Sequence, residues 1–309
     1  MTSAARAGIL SAGAARRGRW CWSRVARVPL THADIAARAR QLPVEGYELY
    51  LASNAAVLAQ LDTSPFGLSV MCLDLLGPPQ NIWTQADMMR VYNVLNATAF
   101  GDKGIPLENW VMIDLGLLPS AFLMVALPID RARGAMSEER GYAQERGRTA
   151  EVLSAVLAEA DRLGYEGPIP VAGYCAAPTP MAGEWVGWSL CSAIPGLGTT
   201  TKALGLEVYG ARTLTGVAQF TDQALRVHRR FGPMEIMAPT LDLHPVPHTM
   251  VYRTHVWAPE PDQAPTMWLD ARDLDAQREM QANVDAEASR YFILPPGLTD
   301  GRVPILEVS

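Results

Sequence analysis

Lysine is almost missing from this 309-residue chain: Lys103 and Lys202 are the only two, and arginine supplies the other cations. A coding bias accounts for that scarcity more simply than a function does. Clustered positive charge is also lacking, because the formal net charge is −6. That balance excludes a general nucleic-acid binder, whose affinity rests on neutralising many phosphates. The four cysteines, Cys21, Cys72, Cys175 and Cys191, lie far apart and make no CxxC pair. Such spacing fits reduced thiols in a cytoplasmic protein better than a disulfide framework. Long apolar runs are absent as well. The apolar uncharged segment Leu115 to Ile129 is short and interrupted by Pro119 and Pro128, and a spanning helix needs roughly 20 apolar residues. No membrane span is expected.

Acid is absent before Asp34, and the first 28 residues carry Arg6, Arg16, Arg17, Arg19, Arg24 and Arg27. They lack the apolar stripe of a transit segment, so a basic flexible tail, or a start assigned too early, is the expectation.

What is present is the composition of a globular protein, 49% hydrophobic and 19% charged. The pattern predicts helices over 31–42, 84–95, 149–163, 199–210, 223–231 and 267–289. Val152, Val156, Ala160 and Leu163 make the clearest helical stripe, and Gly164 stops it. Strands are predicted at 47–52, 68–76, 110–117, 121–127, 168–177, 184–193, 213–220, 234–238 and 249–257. A Pro/Gly-rich tail follows residue 289. The fold class is therefore α/β of the α+β kind: a mixed, mostly antiparallel central sheet flanked by helices. The expected organisation is the tail 1–28, an α/β region 29–165, a core 166–260, and an acidic helix and tail 261–309.

The most informative stretch runs Trp185-Val186-Gly187-Trp188-Ser189-Leu190 into Ala193-Ile194-Pro195-Gly196-Leu197-Gly198-Thr199-Thr200-Thr201-Lys202. A strand enters a glycine turn that opens directly onto a helix. The first amides of such a helix are unpaired and the dipole is positive there, which suits a phosphate or pyrophosphate. The turn is neither a Walker loop nor GxGxxG. A second strand, Thr213 to Phe220, then leads into Thr221-Asp222-Gln223-Ala224-Leu225-Arg226-Val227-His228-Arg229-Arg230-Phe231-Gly232.

This succession resembles the GNAT superfamily of N-acetyltransferases over about residues 184–257. That family joins a strand to a [Gln/Arg]-x-x-Gly-x-[Gly/Ala] turn and helix, then a second strand and a helix reading Asn-x-x-Ala-x-x-x-Tyr-x-x-x-Gly-Phe. Ala224 and Gly232 fall on the family alanine and glycine without a gap. Ala193 replaces the family Gln or Arg, Thr221 the Asn, His228 the Tyr, and Pro233 the Phe. The resemblance implies a GNAT-like C-terminal half and transfer of an acyl group from acyl-coenzyme A, as co-substrate, to an amine or other small-molecule acceptor. It implies that Gly196, Leu197, Gly198, Thr199 and Thr200 hold the coenzyme pyrophosphate, with Lys202 facing water or a coenzyme phosphate. It also implies that the strand at 185–191, splayed from 213–220, admits the pantetheine arm. His228 would protonate the leaving thiolate, and Glu184 is the nearest residue to deprotonate the acceptor.

Two other classes compete. Asp242, His244 and His248 have the ligand types of a metal site, although Pro245 and Pro247 break the strand and a metal is not expected. Trp185 and Trp188 could line the pocket of a non-catalytic acyl- or apolar-ligand-binding protein, with core packing expected for one of the two. Gly187-x-Ser189-x-Cys191 lacks the second glycine of a hydrolase elbow. Cys175 and Cys191 read as inert core thiols. A homo-oligomer is compatible with all of these.

Overall fold

The computed structural model describes residues 32–73, 79–101, 119–138 and 148–309. In chain order its elements are α1 His32–Val44, β1 Glu48–Ser53, the one-turn helix α2 Ala55–Leu58, β2 Ser69–Cys72, α3 Pro79–Phe100 and β3 Ala121–Leu127. Then come α4 Ile129–Glu138, α5 Arg148–Leu163, β4 Ile169–Pro178, β5 Glu184–Ser192, α6 Leu197–Val208 and β6 Thr213–Gln219. After these follow α7 Leu225–His228, which runs on into a 3-10 turn Arg229–Phe231, then β7 Met234–Ala238 and β8 Thr249–His255. The chain ends with β9 Met267–Asp270, α8 Leu274–Asp285, β10 Arg290–Ile293 and β11 Arg302–Val308.

The strands form one open sheet in the order β2-β1-β3-β4-β5-β6-β8-β7-β10-β11-β9. Only β1–β2 and β5–β6 run parallel; every other neighbouring pair is antiparallel. The expected mixed, mostly antiparallel sheet flanked by helices is what the chain builds. All seven residues of β3 are buried, as an apolar run between two neighbours requires when both faces are covered.

Two adjacent residues of β4 show how the faces are covered. Successive strand residues point to opposite faces. At Gly173 an added Cβ would lie 2.0 Å from the Tyr92 ring of α3, whereas the Tyr174 ring fits against Gly205 of α6. Helices α3 and α6 therefore sit on opposite faces, and a missing side chain on one partner admits a ring from the other. Tyr209, next after α6, stacks on Trp185 at 4.6 Å, and its hydroxyl lies 3.2 Å from the carbonyls of Ala121 and Tyr174. Aromatic pairs of this kind contribute about 0.5–1.5 kcal/mol beyond their buried area. They lock α6 to the closed end of β5. A second apolar cluster, including Phe220, Met234, Ile236, Tyr291 and Ile305, holds the C-terminal strands and α8 together.

Several boundaries differ from expectation. Helix α3 starts at Pro79, where a proline without an N–H is at home, so Thr84 lies inside the helix rather than capping it. The helix expected over 267–289 is a strand, a turn and then a shorter helix, because Met267 to Asp270 pair with β11 and Asp273 caps α8 by accepting from Ala276 N. The expected tail contains β10 and β11, whose Tyr291, Ile293, Val303 and Ile305 are buried. The basic segment 1–28 and the strand expected at 110–117 lie outside the described residues. Among the described residues, no helix is long and apolar enough to cross a membrane.

Candidate functional site

The site begins where two parallel strands part. Strands β5 and β6 pair only through Glu184–Thr213, Trp185–Leu214 and Val186–Thr215. Beyond Val186, β5 runs on to Ser192 beside β4, and β6 runs on to Gln219 beside β8. A register shift between Cys175 and Ala176 lets Trp188 bulge from β5 at this point, and bulges bend the strand that carries them. Between the parted ends is a cavity of about 400 Å³. Val186, Trp188, Leu190 and Val217 line it from the strands, Asn96 and Phe100 from α3, and Lys202 from α6. The gap thus receives side chains from both faces of the sheet. Trp188 is 50% exposed, whereas Trp185 is packed in the core.

Three polar side chains meet at one end of this cavity. His228, from α7, places Nδ1 2.8 Å from Lys202 Nζ and 3.1 Å from the Tyr252 hydroxyl. Lys202 is wholly buried, which corrects the expectation that it faces water or a coenzyme phosphate. It looks inward because α6 packs that side on the sheet, within 5.0 Å of the Phe231 ring and 5.9 Å of the Tyr174 ring. Burial lowers its pKa from 10.5 to about 7, since an ammonium loses its hydration there. Burial also pushes the Tyr174 and Tyr252 hydroxyls well above 10, so both stay protonated donors.

Tyr174 has a further property. Its hydroxyl is buried and finds no hydrogen-bond partner among the described residues, although Tyr174 and Gly187 both line the cavity. A Cβ on Gly187 would come within 3.3 Å of that oxygen. Leaving a buried donor unmade costs about 1–3 kcal/mol.

At the neighbouring helix start, Gly196 is the N-cap of α6 with φ 85°, a conformation glycine adopts without a Cβ penalty. The helix opens two residues earlier than predicted. Gly196 is exposed, Gly198, Thr199 and Thr200 are half-buried, and Leu197 faces the core. Of the five amides expected to be open, Leu197 N donates to Ile194 O at 3.2 Å and Thr200 N to Gly196 O at 3.5 Å.

Glu184 is not at the cavity. It sits at the closed end of β5, where it accepts from Thr179 Oγ1 at 3.1 Å and faces Arg253 at 3.6 Å. It is not among the residues that line the gap between the parted strands. Among the described residues, no three His, Cys, Asp or Glu side chains are grouped to hold an ion. Asp242 is exposed, His244 Nδ1 accepts from Val246 N, and His248 lies beside Gln277 on positive-φ backbone. Cys175 and Cys191 are buried free thiols, both pushed up by burial, and are inert as expected.

No family model and no curated protein matches the chain. A solved structure similar to it is titled "Crystal structure of FemX". The likeness has 7% identity and a TM-score of 0.26, and covers 56% of this chain. The chain spans 44% of that structure's length.

Tyr174, Tyr252 and Asn96 were not singled out from the sequence. One signal was there: an isolated glycine inside a strand marks close approach of another group. Gly173, Gly187 and Gly216 are such residues, and they border Tyr92, Tyr174 and Tyr252.

Proposed function

We propose that this protein is an acyltransferase, moving an acyl group from an acyl-coenzyme A to a primary amine or similar small nucleophile. The observation that carries the reading is the parting of β5 and β6 beside a glycine-capped helix. It supplies, side by side, a slot for an extended arm and a set of unpaired amides for a diphosphate. The GNAT resemblance calls for that arrangement over the same residues. The amides of Gly196, Gly198 and Thr199 would take the pyrophosphate, with no help from Lys202, which is buried inside. The pantetheine arm would lie between Gly187–Leu190 and Val217–Gln219. The orphaned Tyr174 hydroxyl would donate to a carbonyl of the bound donor. His228 would protonate the departing thiolate, in place of the tyrosine the resemblance puts there, and general acid catalysis of this kind contributes roughly 10²–10⁴ in rate.

Calorimetry with coenzyme A and acetyl-coenzyme A tests the reading. The wild-type protein should bind both in the micromolar range. At Gly198 an added Cβ meets Ser192 Cβ at 3.3 Å, so Gly198→Phe must send its ring outward over the helix start. Binding should then weaken by at least about tenfold, or ~1.4 kcal/mol. No heat with either ligand would overturn the proposal. Binding without thiol release towards any amine would favour the non-catalytic alternative, for which the apolar wall and half-exposed Trp188 are the supporting observations.

A further inference from the structure

We propose that Lys202 is the proton reserve of this site. Held behind His228, it keeps the imidazole hydrogen on Nε2 and refills Nδ1 as that hydrogen departs. The inference rests on the transferase reading and adds a positioning residue to it.

Geometry carries the argument. Lys202 Nζ and the Tyr252 hydroxyl both converge on His228 Nδ1, at 2.8 and 3.1 Å. A protonated tyrosine and an ammonium are both donors, so Nδ1 is the acceptor of the pair and the ring hydrogen belongs on Nε2. Among the described residues, the groups facing Lys202 come from four elements. They are the Tyr174 ring of β4, the Phe231 ring of the 3-10 turn, Tyr252 of β8 and His228 of α7. Among the described residues, no carboxylate lies within the 4.0 Å of an ion pair with it. Asp222, the one carboxylate among the described residues that line the cavity, accepts from Ala224 N.

Among the described residues, rings and an imidazole surround this amine, which makes its protonated form costly. Its pKa of about 7 means that the proton is readily given up. The chemistry balances as follows. The acceptor nitrogen attacks the thioester carbonyl, and the C–S bond breaks with its electron pair on sulfur. The Nε2–H bond breaks as S–H forms, and an Nζ–H bond of Lys202 breaks as Nδ1–H forms. Lys202 is left as a neutral amine and the thiol leaves uncharged; the proton lost by the acceptor nitrogen then returns by way of water to Nε2, as the hydrogen on Nδ1 passes back to Nζ and restores the ammonium. A buried cation and a nascent thiolate disappear in the same event, which a low dielectric favours.

The test uses the full chain and two donors, with a panel of primary amines and the released thiol as readout. Lys202→Met should lower kcat by roughly 100-fold or more with acetyl-coenzyme A. With 4-nitrothiophenyl acetate, whose thiolate departs without a proton, the loss should shrink to below about tenfold. Nitrogen-15 NMR of histidine-labelled protein adds a readout independent of turnover. In the wild type His228 should show a protonated Nε2 and a hydrogen-bonded, unprotonated Nδ1; in Lys202→Met the Nδ1 resonance should move and the tautomers mix. Lys202→Arg, which cannot release a proton, should keep the tautomer yet lose turnover. Equal losses with both donors, an unmoved Nδ1 resonance in Lys202→Met, or an acetyl group found on Lys202 by mass spectrometry would each overturn the relay. A wild-type protein that binds no coenzyme A overturns the transferase reading itself, and the relay with it.

Discussion

Replacing Lys202 with methionine should make the protein more stable at neutral pH and less stable in strong base. The cause is the environment of one amine. A fall in pKa from 10.5 to about 7 corresponds to ~5 kcal/mol of penalty on the protonated form, at about 1.36 kcal/mol per unit. The folded state binds this proton more weakly than the unfolded state does, so the lysine destabilises the fold wherever the unfolded chain is protonated. Stability is therefore lowest below pH 7 and recovers as pH rises towards 10.5. Worked through, the penalty is about 4 kcal/mol at pH 7, about 2 at pH 9 and close to zero by pH 11. Methionine has similar length and no charge, but it gives up the bond to His228 Nδ1 and the contacts with the Phe231 and Tyr252 rings. Those losses amount to about 1–2 kcal/mol together. The net expectation at pH 7 is a variant more stable by about 2–3 kcal/mol, with the curves crossing between pH 9 and 11. Tyr174 and Tyr252 stay protonated across this range, so they do not distort the difference. Urea unfolding of both proteins from pH 6 to 11, at equal m-values, measures it. A variant less stable than wild type at pH 6–7, or a difference independent of pH, would refute the assignment of Lys202 as a desolvated amine.

Two further outcomes follow from the same cavity. Tyr174→Phe removes a buried hydroxyl that has no partner among the described residues, so it should leave stability unchanged or raise it by about 1 kcal/mol. Binding of acetyl-coenzyme A should weaken several-fold by calorimetry, and unchanged affinity would show that the hydroxyl meets no ligand. Gly205→Ala would ordinarily favour a helix by about 1 kcal/mol. Here the new Cβ lands 2.6 Å from the Tyr174 ring, so a loss of about 1–3 kcal/mol is expected from overpacking, seen as a lower urea midpoint.

The elements that the sequence announces are those whose signal is local. The stripe Val152, Val156, Ala160 gave α5 to within one residue. The unbroken run Ala121 to Leu127 gave β3 at both ends, and the glycine turn before Leu197 gave a strand followed at once by a helix. Met267 to Asp270 read as helix because their helical composition continues into 274–285. Pairing with β11, more than thirty residues away, made them a strand. Residues 290–309 read as a tail because Pro295, Pro296 and Gly297 dominate locally, while the apolar positions of β10 and β11 meet only in the sheet.

The site divides in the same way. His228 was chosen from the GNAT resemblance and the turn at Gly196–Thr200 from its glycines; in the folded chain His228 lines the cavity and the turn opens α6. Glu184 was chosen for nearness in sequence, and the structure puts it at the closed end of β5, paired with Arg253. Lys202 looked like a surface lysine near a helix start, and only the packing of α6 on the sheet turned it inward against His228. Local pattern determined which segments are helix, strand and turn, because backbone propensity and apolar period act over a few residues. Which strands part, and which side chains from α3, β4, α6, α7 and β8 share the gap, depends on contacts between distant segments, and only the folded chain decides them.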